Sequence, residues 1–115
     1  DVYNLGKEIR FHKNFSPEGT NVDFVKVKDE HNIYVRTYER GVENETLSCG
    51  TGVTASAIIS SLNGYTKPLV KCYTKSGEIL TVGFKKNSEE DLISVVSDLY
   101  LEGKVYHTFD GEFYL

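Results

Sequence analysis

Residues 51–62, reading TGVTASAIISSL, are small or apolar at nearly every position. A helix of that composition has no polar side to present to water, so it belongs inside the molecule, wrapped by sheet. Gly64, just after Asn63, supplies a left-handed cap to end it. The remaining chain must then furnish walls around this helix. Residues 22–28 and 33–38 alternate with a period of two on either side of the turn residues 29–32, which predicts a hairpin. Downstream, 69–74 and 79–84 flank Lys75-Ser76-Gly77-Glu78, a second hairpin turn. Val70 and Cys72 share one face of the first of these strands, and Leu80, Val82 and Phe84 share one face of the next. Further strands are expected over 91–96 and 99–107 and, after the turn Asp110-Gly111, over 112–115. At the start, Val2, Leu5 and Ile9 fall at helical spacing behind Asp1 as N-cap, with Lys7 and Arg10 towards the C-terminal end. Residues 14–20, with Pro17 and Gly19, form a loop. The fold class is therefore α+β: a mixed, mostly antiparallel sheet curled around a central buried helix, in a single domain over 1–115.

Charge and composition exclude several roles. A net charge of -4 over 115 residues leaves no basic footprint for nucleic acid. No apolar run approaches the roughly 20 residues of a membrane span, and no secretory signal opens the chain. Two cysteines do not make a disulfide framework, so a cytoplasmic setting is expected. The chain contains no methionine and opens on Asp1-Val2-Tyr3-Asn4-Leu5, already within a folding pattern. That start reads as a truncated or processed chain, with removal of an initiator as the simpler alternative.

The chemistry concentrates where strand meets core helix, at Leu47-Ser48-Cys49-Gly50-Thr51-Gly52. Glycines there let backbone approach a ligand closely, and the unpaired N–H groups of a first helical turn form an anion site. The same positive potential favours thiolate at Cys49. Two readings of Cys49 stand: a small buried hydrophobe, or a reactive thiol beside an anion pocket. Cys72, alternating with Val70 inside a strand, reads as core, and nothing in the sequence requires a disulfide between the two. Glu39-Arg40 is either an exposed pair of little consequence or a ligand pair. Strand alternation sets the two on opposite faces, leaving Arg40 for a carboxylate and Glu39 for an ammonium. His12, His31 and His107 show no metal-ligand spacing, so no metal is expected and solvated histidines are the better reading. Gly50-Thr51-Gly52 lacks the trailing lysine of a phosphate loop.

Taken together, Glu39-Arg40-Gly41, Thr46-Leu47-Ser48-Cys49-Gly50-Thr51-Gly52 and the upstream Gly19-Thr20-Asn21-Val22-Asp23-Phe24-Val25 closely resemble the diaminopimelate epimerases. The resemblance covers essentially the whole chain but only the C-terminal half of those two-domain enzymes. It implies pseudo-symmetric halves with the active site in the cleft between them, the N-terminal half and its cysteine being absent here. It further implies cofactor-independent interconversion of LL- and meso-diaminopimelate by two cysteines on opposite faces of the α-carbon, on the route to lysine and cell wall. By the same resemblance Cys49 matches a catalytic cysteine and Glu39 an acidic residue important for catalysis. Gly50 and Thr51 match the residues whose amides hold the carboxylate at the reacting centre. Asn21 and Arg40 match those recognising the distal end of the substrate. The acidic loop 42–45 departs from the family's shorter, glycine-containing version, which puts its shape in question. An isolated half is expected to be inactive and to self-associate, as a homodimer, through the face its partner domain would cover. The alternatives are a relative of the same fold, similar to proline racemase or a phenazine-biosynthesis isomerase, or a non-catalytic binding module.

Overall fold

The computed structural model describes residues 1–87 and 95–115. Helix α1 (Val2–Arg10) precedes a short 3-10 turn (Lys13–Phe15); strands β1 (Val22–Asp29), β2 (Asn32–Glu39) and β3 (Asn44–Thr46) follow. Helix α2 (Gly50–Leu62) then leads to β4 (Val70–Tyr73), β5 (Ile79–Lys86) and β6 (Val96–Glu102). The six strands form one sheet in the order β1-β2-β4-β5-β6, with β3 against β2. All pairings are antiparallel except β2 with β4. The fold class read from the sequence therefore holds.

Strand β2 organises the sheet. One of its edges takes β1 in the expected hairpin, with Val22 opposite Tyr38 and Val27 opposite Ile33. Its other edge is shared: Asn32 to Tyr34 pair with β4, and Thr37 to Glu39 pair with β3. The inward faces are those the alternation predicts. Val70 and Cys72 on β4, Val82 and Phe84 on β5, and Ile33 and Val35 on β2 form the core with Val53 and Ala57 of α2. Leu80 packs against that cluster. Val53 and Ala57, one helical turn apart, are the knobs α2 sets into the sheet.

Helix α2 is less enclosed than its composition predicts. Gly52, Val53, Ser56, Ala57, Ser60 and Ser61 are buried, whereas Ile59 on the opposite side is 56% exposed. Among the described residues the open sheet covers only one flank of the helix. The expected cap at Gly64 is present: the Tyr65 N–H donates to the Ser60 carbonyl and the Gly64 N–H to that of Ser61. Those two bonds satisfy carbonyls that a helix end would otherwise leave orphaned.

Helix α1 is capped by Asp1, whose carboxylate accepts from the Asn4 N–H at 3.1 Å. Its buried side differs from the expected Val2-Leu5-Ile9 stripe. Val2 and Gly6 are buried, while Leu5 is 49% and Ile9 37% exposed. Gly6 rests on the ring of Tyr38, where a Cβ would lie 2.7 Å from Cγ. This contact, invisible to a hydrophobicity pattern, sets the rotation of the helix. At the other end, the strand expected over 99–107 is β6, which starts at Val96 and stops at Glu102 opposite Thr81. Residues 103–115 carry no strand, and the exposed side chains of Phe109, Phe113 and Tyr114 pack against no sheet. The strand expected over 91–96 lies outside the described residues except for its last two positions, of which Val96 opens β6.

Candidate functional site

The site is built where the open end of the β1–β2 hairpin meets the start of α2. Cys49 is the N-cap residue of α2, in extended conformation (φ -138°, ψ 109°), and its side chain makes no capping bond to the helix. Its carbonyl accepts the Val53 N–H at 2.9 Å, the first bond of the helix proper. The N–H groups of Gly50, Thr51 and Gly52 point out of the helix end, and no acceptor among the described residues takes them. A first turn without a side-chain cap attracts a negative ligand group. Cys49 is half-buried, with Sγ 3.4 Å from the Thr51 hydroxyl, so the sulfur is neither sealed in hydrocarbon nor joined to another cysteine. Cys72 is fully buried, and burial pushes its thiol up to about 12.

Hairpin register brings the upstream residues alongside. Because Val22 stands opposite Tyr38, Asn21 falls beside the end of β2, where its Oδ1 accepts the Arg40 N–H at 2.8 Å. Asn21, Arg40 and Thr51 then line one polar cavity of 370 Å³, together with Gly19, Asp23 and Gly52. Gly50 faces a different hollow, an apolar one of 480 Å³ shared with Ile58 and Leu101, with Thr51 and Ala55 common to both. Glu39 is half-buried at the end of β2 and lines neither. The expected opposition of Glu39 and Arg40 by strand alternation does not apply, because β2 ends at Glu39 and Arg40 belongs to the following turn. They form no ion pair with each other among the described residues. His12, His31 and His107 are all exposed, and His12 Nδ1 accepts the Asn14 N–H. No cluster of three or more metal-ligating side chains occurs among the described residues.

Two groups named in the sequence were given no role there. Asp23 lies two residues beyond Asn21 on the same face of the chain, and its Oδ1 accepts the Thr37 hydroxyl at 2.6 Å. That carboxylate rests against Gly52 in the first turn of α2, where a Cβ would lie 3.0 Å from Asp23 Cγ and 3.1 Å from Oδ2. Its charge suits the helix N-terminus. Period-two spacing from Asn21 was the available signal. The second group is the acidic loop. Glu43 and Glu45 are not free charges: Glu43 is held by Arg10, and Glu45, 8% exposed, by Arg36 at 2.6 and 2.8 Å and by Lys75 at 3.1 Å. Arg36, then Lys75, hold the Glu45 carboxyl below the usual carboxylate range against the opposing effect of burial.

Residues 1–103 match the family model described as diaminopimelate epimerase. Among curated proteins, the chain is 50% identical over 112 residues to the diaminopimelate epimerase of Aquifex aeolicus, covering 96% of this chain and 37% of that protein. It is 48% identical over 108 residues to the diaminopimelate epimerase of Caldanaerobacter subterraneus subsp. tengcongensis, covering 94% of this chain and 35% of the other. That of Methanocella arvoryzae is 42% identical over 113 residues, covering 97% and 36%. The chain thus spans little more than a third of the length of these relatives.

Proposed function

The chain belongs to the diaminopimelate epimerase family, and from that premise we propose that the full-length protein interconverts LL- and meso-diaminopimelate with Cys49 as one of two proton-transferring thiols. The observation that carries this reading is the placement of Cys49 at an uncapped helix mouth, its Sγ 3.4 Å from the hydroxyl of Thr51, which lines one cavity with Asn21 and Arg40. The substrate carboxylate at the reacting centre sits on the amides of Gly50 and Thr51. One thiolate removes the α-proton: the C–H bond breaks, an S–H bond forms, and the electron pair passes towards the carboxylate. Amides at a helix mouth stabilise the charge that gathers there. A thiol on the opposite face then returns a proton to the carbon, inverting it and becoming thiolate. Each direction of reaction exchanges the two roles. Asn21 and Arg40 bind the distal amino-acid end, and Glu39 supports catalysis from the end of β2.

This reading assigns the chain to the C-terminal half of a two-domain enzyme. On this reading the part of the full-length protein outside this chain supplies the second cysteine and the other wall of the cleft, so the half alone does not turn over. No cofactor enters the scheme, since thiols and amides supply the proton transfer and the electrostatic stabilisation. A cytoplasmic location belongs to the same reading, since two cysteines do not make a disulfide framework, and no helix among the described residues is long and apolar enough to cross a membrane. The test is to incubate the full-length protein with LL-diaminopimelate and, separately, with L-proline. The account expects approach to an LL/meso mixture and no racemisation of proline. Conversion of proline alone, or of neither, overturns it.

A further inference from the structure

Arg10, at the C-terminal end of α1, touches none of the residues assigned above, yet it holds together the two loops that carry Asn21 and Arg40. Its side chain is 11% exposed. The guanidinium grips Glu43 with two bonds, Nε to Oε1 and Nη2 to Oε2, each 3.0 Å. Its third nitrogen donates to the Glu18 carbonyl at 3.2 Å. Glu43 closes the turn after β2, its N–H donating to the Glu39 carbonyl at 2.8 Å. Arg40 stands inside that turn. Glu18 and Gly19 lead directly into Asn21, and Gly19 lies so close over the guanidinium that a Cβ there would collide with Arg10 Nη1. The φ of +73° at Gly19 likewise favours glycine. The two loops then meet at the 2.8 Å bond from the Arg40 N–H to Asn21 Oδ1.

We infer that Arg10 is a positioning residue: with Glu43 it clamps the loops 18–21 and 39–43 so that Asn21 and Arg40 face the cavity at a fixed separation. A planar fork with five donors suits this task, because two parallel bonds to a carboxylate leave nitrogen free for a carbonyl. Lysine offers a single point of charge and cannot span both loops. The acidic loop thereby gains a role, since Glu43 is the acceptor that lets an arginine from α1 fix the turn after β2. The inference rests on the proposed function for its consequence in catalysis, but the clamp itself does not.

The experiment uses the full-length protein and its Arg10→Ala, Arg10→Lys, Glu43→Ala and Arg10→Ala/Glu43→Ala variants, with two readouts. Amide hydrogen exchange at Arg40 and Glu43 reports the clamp directly, and steady-state kinetics with diaminopimelate report its consequence. In Arg10→Ala, exchange at both amides accelerates at least tenfold and KM rises about tenfold, while kcat stays within threefold. The double variant behaves like either single one, and Arg10→Lys restores neither readout fully. Exchange unchanged at Arg40 and Glu43, full rescue by lysine, or effects that multiply in the double variant overturn the clamp. A fall in kcat as large as the rise in KM overturns its role in substrate binding. Should the wild-type protein leave diaminopimelate unconverted, the functional reading fails, while the exchange measurements still decide the clamp. Should Arg10→Ala not fold, Arg10→Lys and Glu43→Ala decide both questions.

Discussion

Gly52→Ala is a one-methyl change whose cost follows from the packing of the site. The new Cβ would stand 3.0 Å from Asp23 Cγ and 3.1 Å from Oδ2, and closer still to Oδ1. Carbon contacts are favourable only from roughly 3.5 Å outward, so the carboxylate must retreat. Asp23 is a short side chain and cannot fold aside without losing the 2.6 Å bond from the Thr37 hydroxyl. Overpacking costs about 1–3 kcal/mol, and a hydrogen bond to a charged group contributes about 1.5–3 kcal/mol. Against these, alanine is better than glycine within a helix by about 1 kcal/mol. The partly exposed site lets water replace some of the lost bond, so the net expectation is destabilisation by about 1–3 kcal/mol. Urea unfolding of the full-length protein, read by a signal from this domain, measures it. Gly52→Ala/Asp23→Ala should recover part of the loss, because the smaller side chain leaves room for the methyl. A variant as stable as the wild type would refute the argument, since helix propensity would then outweigh the carboxylate contact.

Two further outcomes follow from the same structure. Burial raises the Cys72 thiol from near 9.0 to about 12, which lowers its thiolate fraction near neutral pH by about a thousandfold. Iodoacetamide should label Cys49 in the native protein and Cys72 only after denaturation, as followed by peptide mass spectrometry; equal native rates would contradict this. The depressed Glu45 carboxyl contributes stability that is fully present above the ordinary glutamate value of 4.5 and is lost as pH falls from there through its lower folded-state value. Glu45→Gln should therefore lose less stability than the wild type on acidification across that window. Parallel curves of unfolding midpoint against pH would count against the pairing.

Long periodic segments were legible in the sequence because burial acts on them uniformly. The β1–β2 and β4–β5 hairpins and α2 announce themselves through alternation or unbroken apolarity, and the inward faces at Val70, Cys72, Val82 and Phe84 follow. Strand β3 has only three residues, Asn44–Thr46, and no apolar alternation; it is fixed by pairing with β2 and by the clasp of Glu45. Gly6 has no side chain to add to an apolar stripe, so its seating on Tyr38 was hidden. Composition also says that α2 avoids water without saying which flank the sheet reaches. The candidate site divides in the same way. Asn21 and Arg40 come together because hairpin register dictates it, whereas Asp23 was passed over as an ordinary polar member of the alternation. Arg10 and Glu43 lie 33 residues apart, and only the folded chain relates them.

In the proposed function the Cys49 sulfur exchanges a proton with the substrate α-carbon. The most direct measurement follows deuterium entry at that carbon in heavy water, alongside epimerisation, for the full-length protein and its Cys49→Ser variant. A hydroxyl is a far weaker acid than a thiol, and loss of a positioned acid–base group costs about 10²–10⁴-fold. The account predicts a loss of epimerisation on that scale in Cys49→Ser, with diaminopimelate binding retained. Undiminished epimerisation by Cys49→Ser would contradict it.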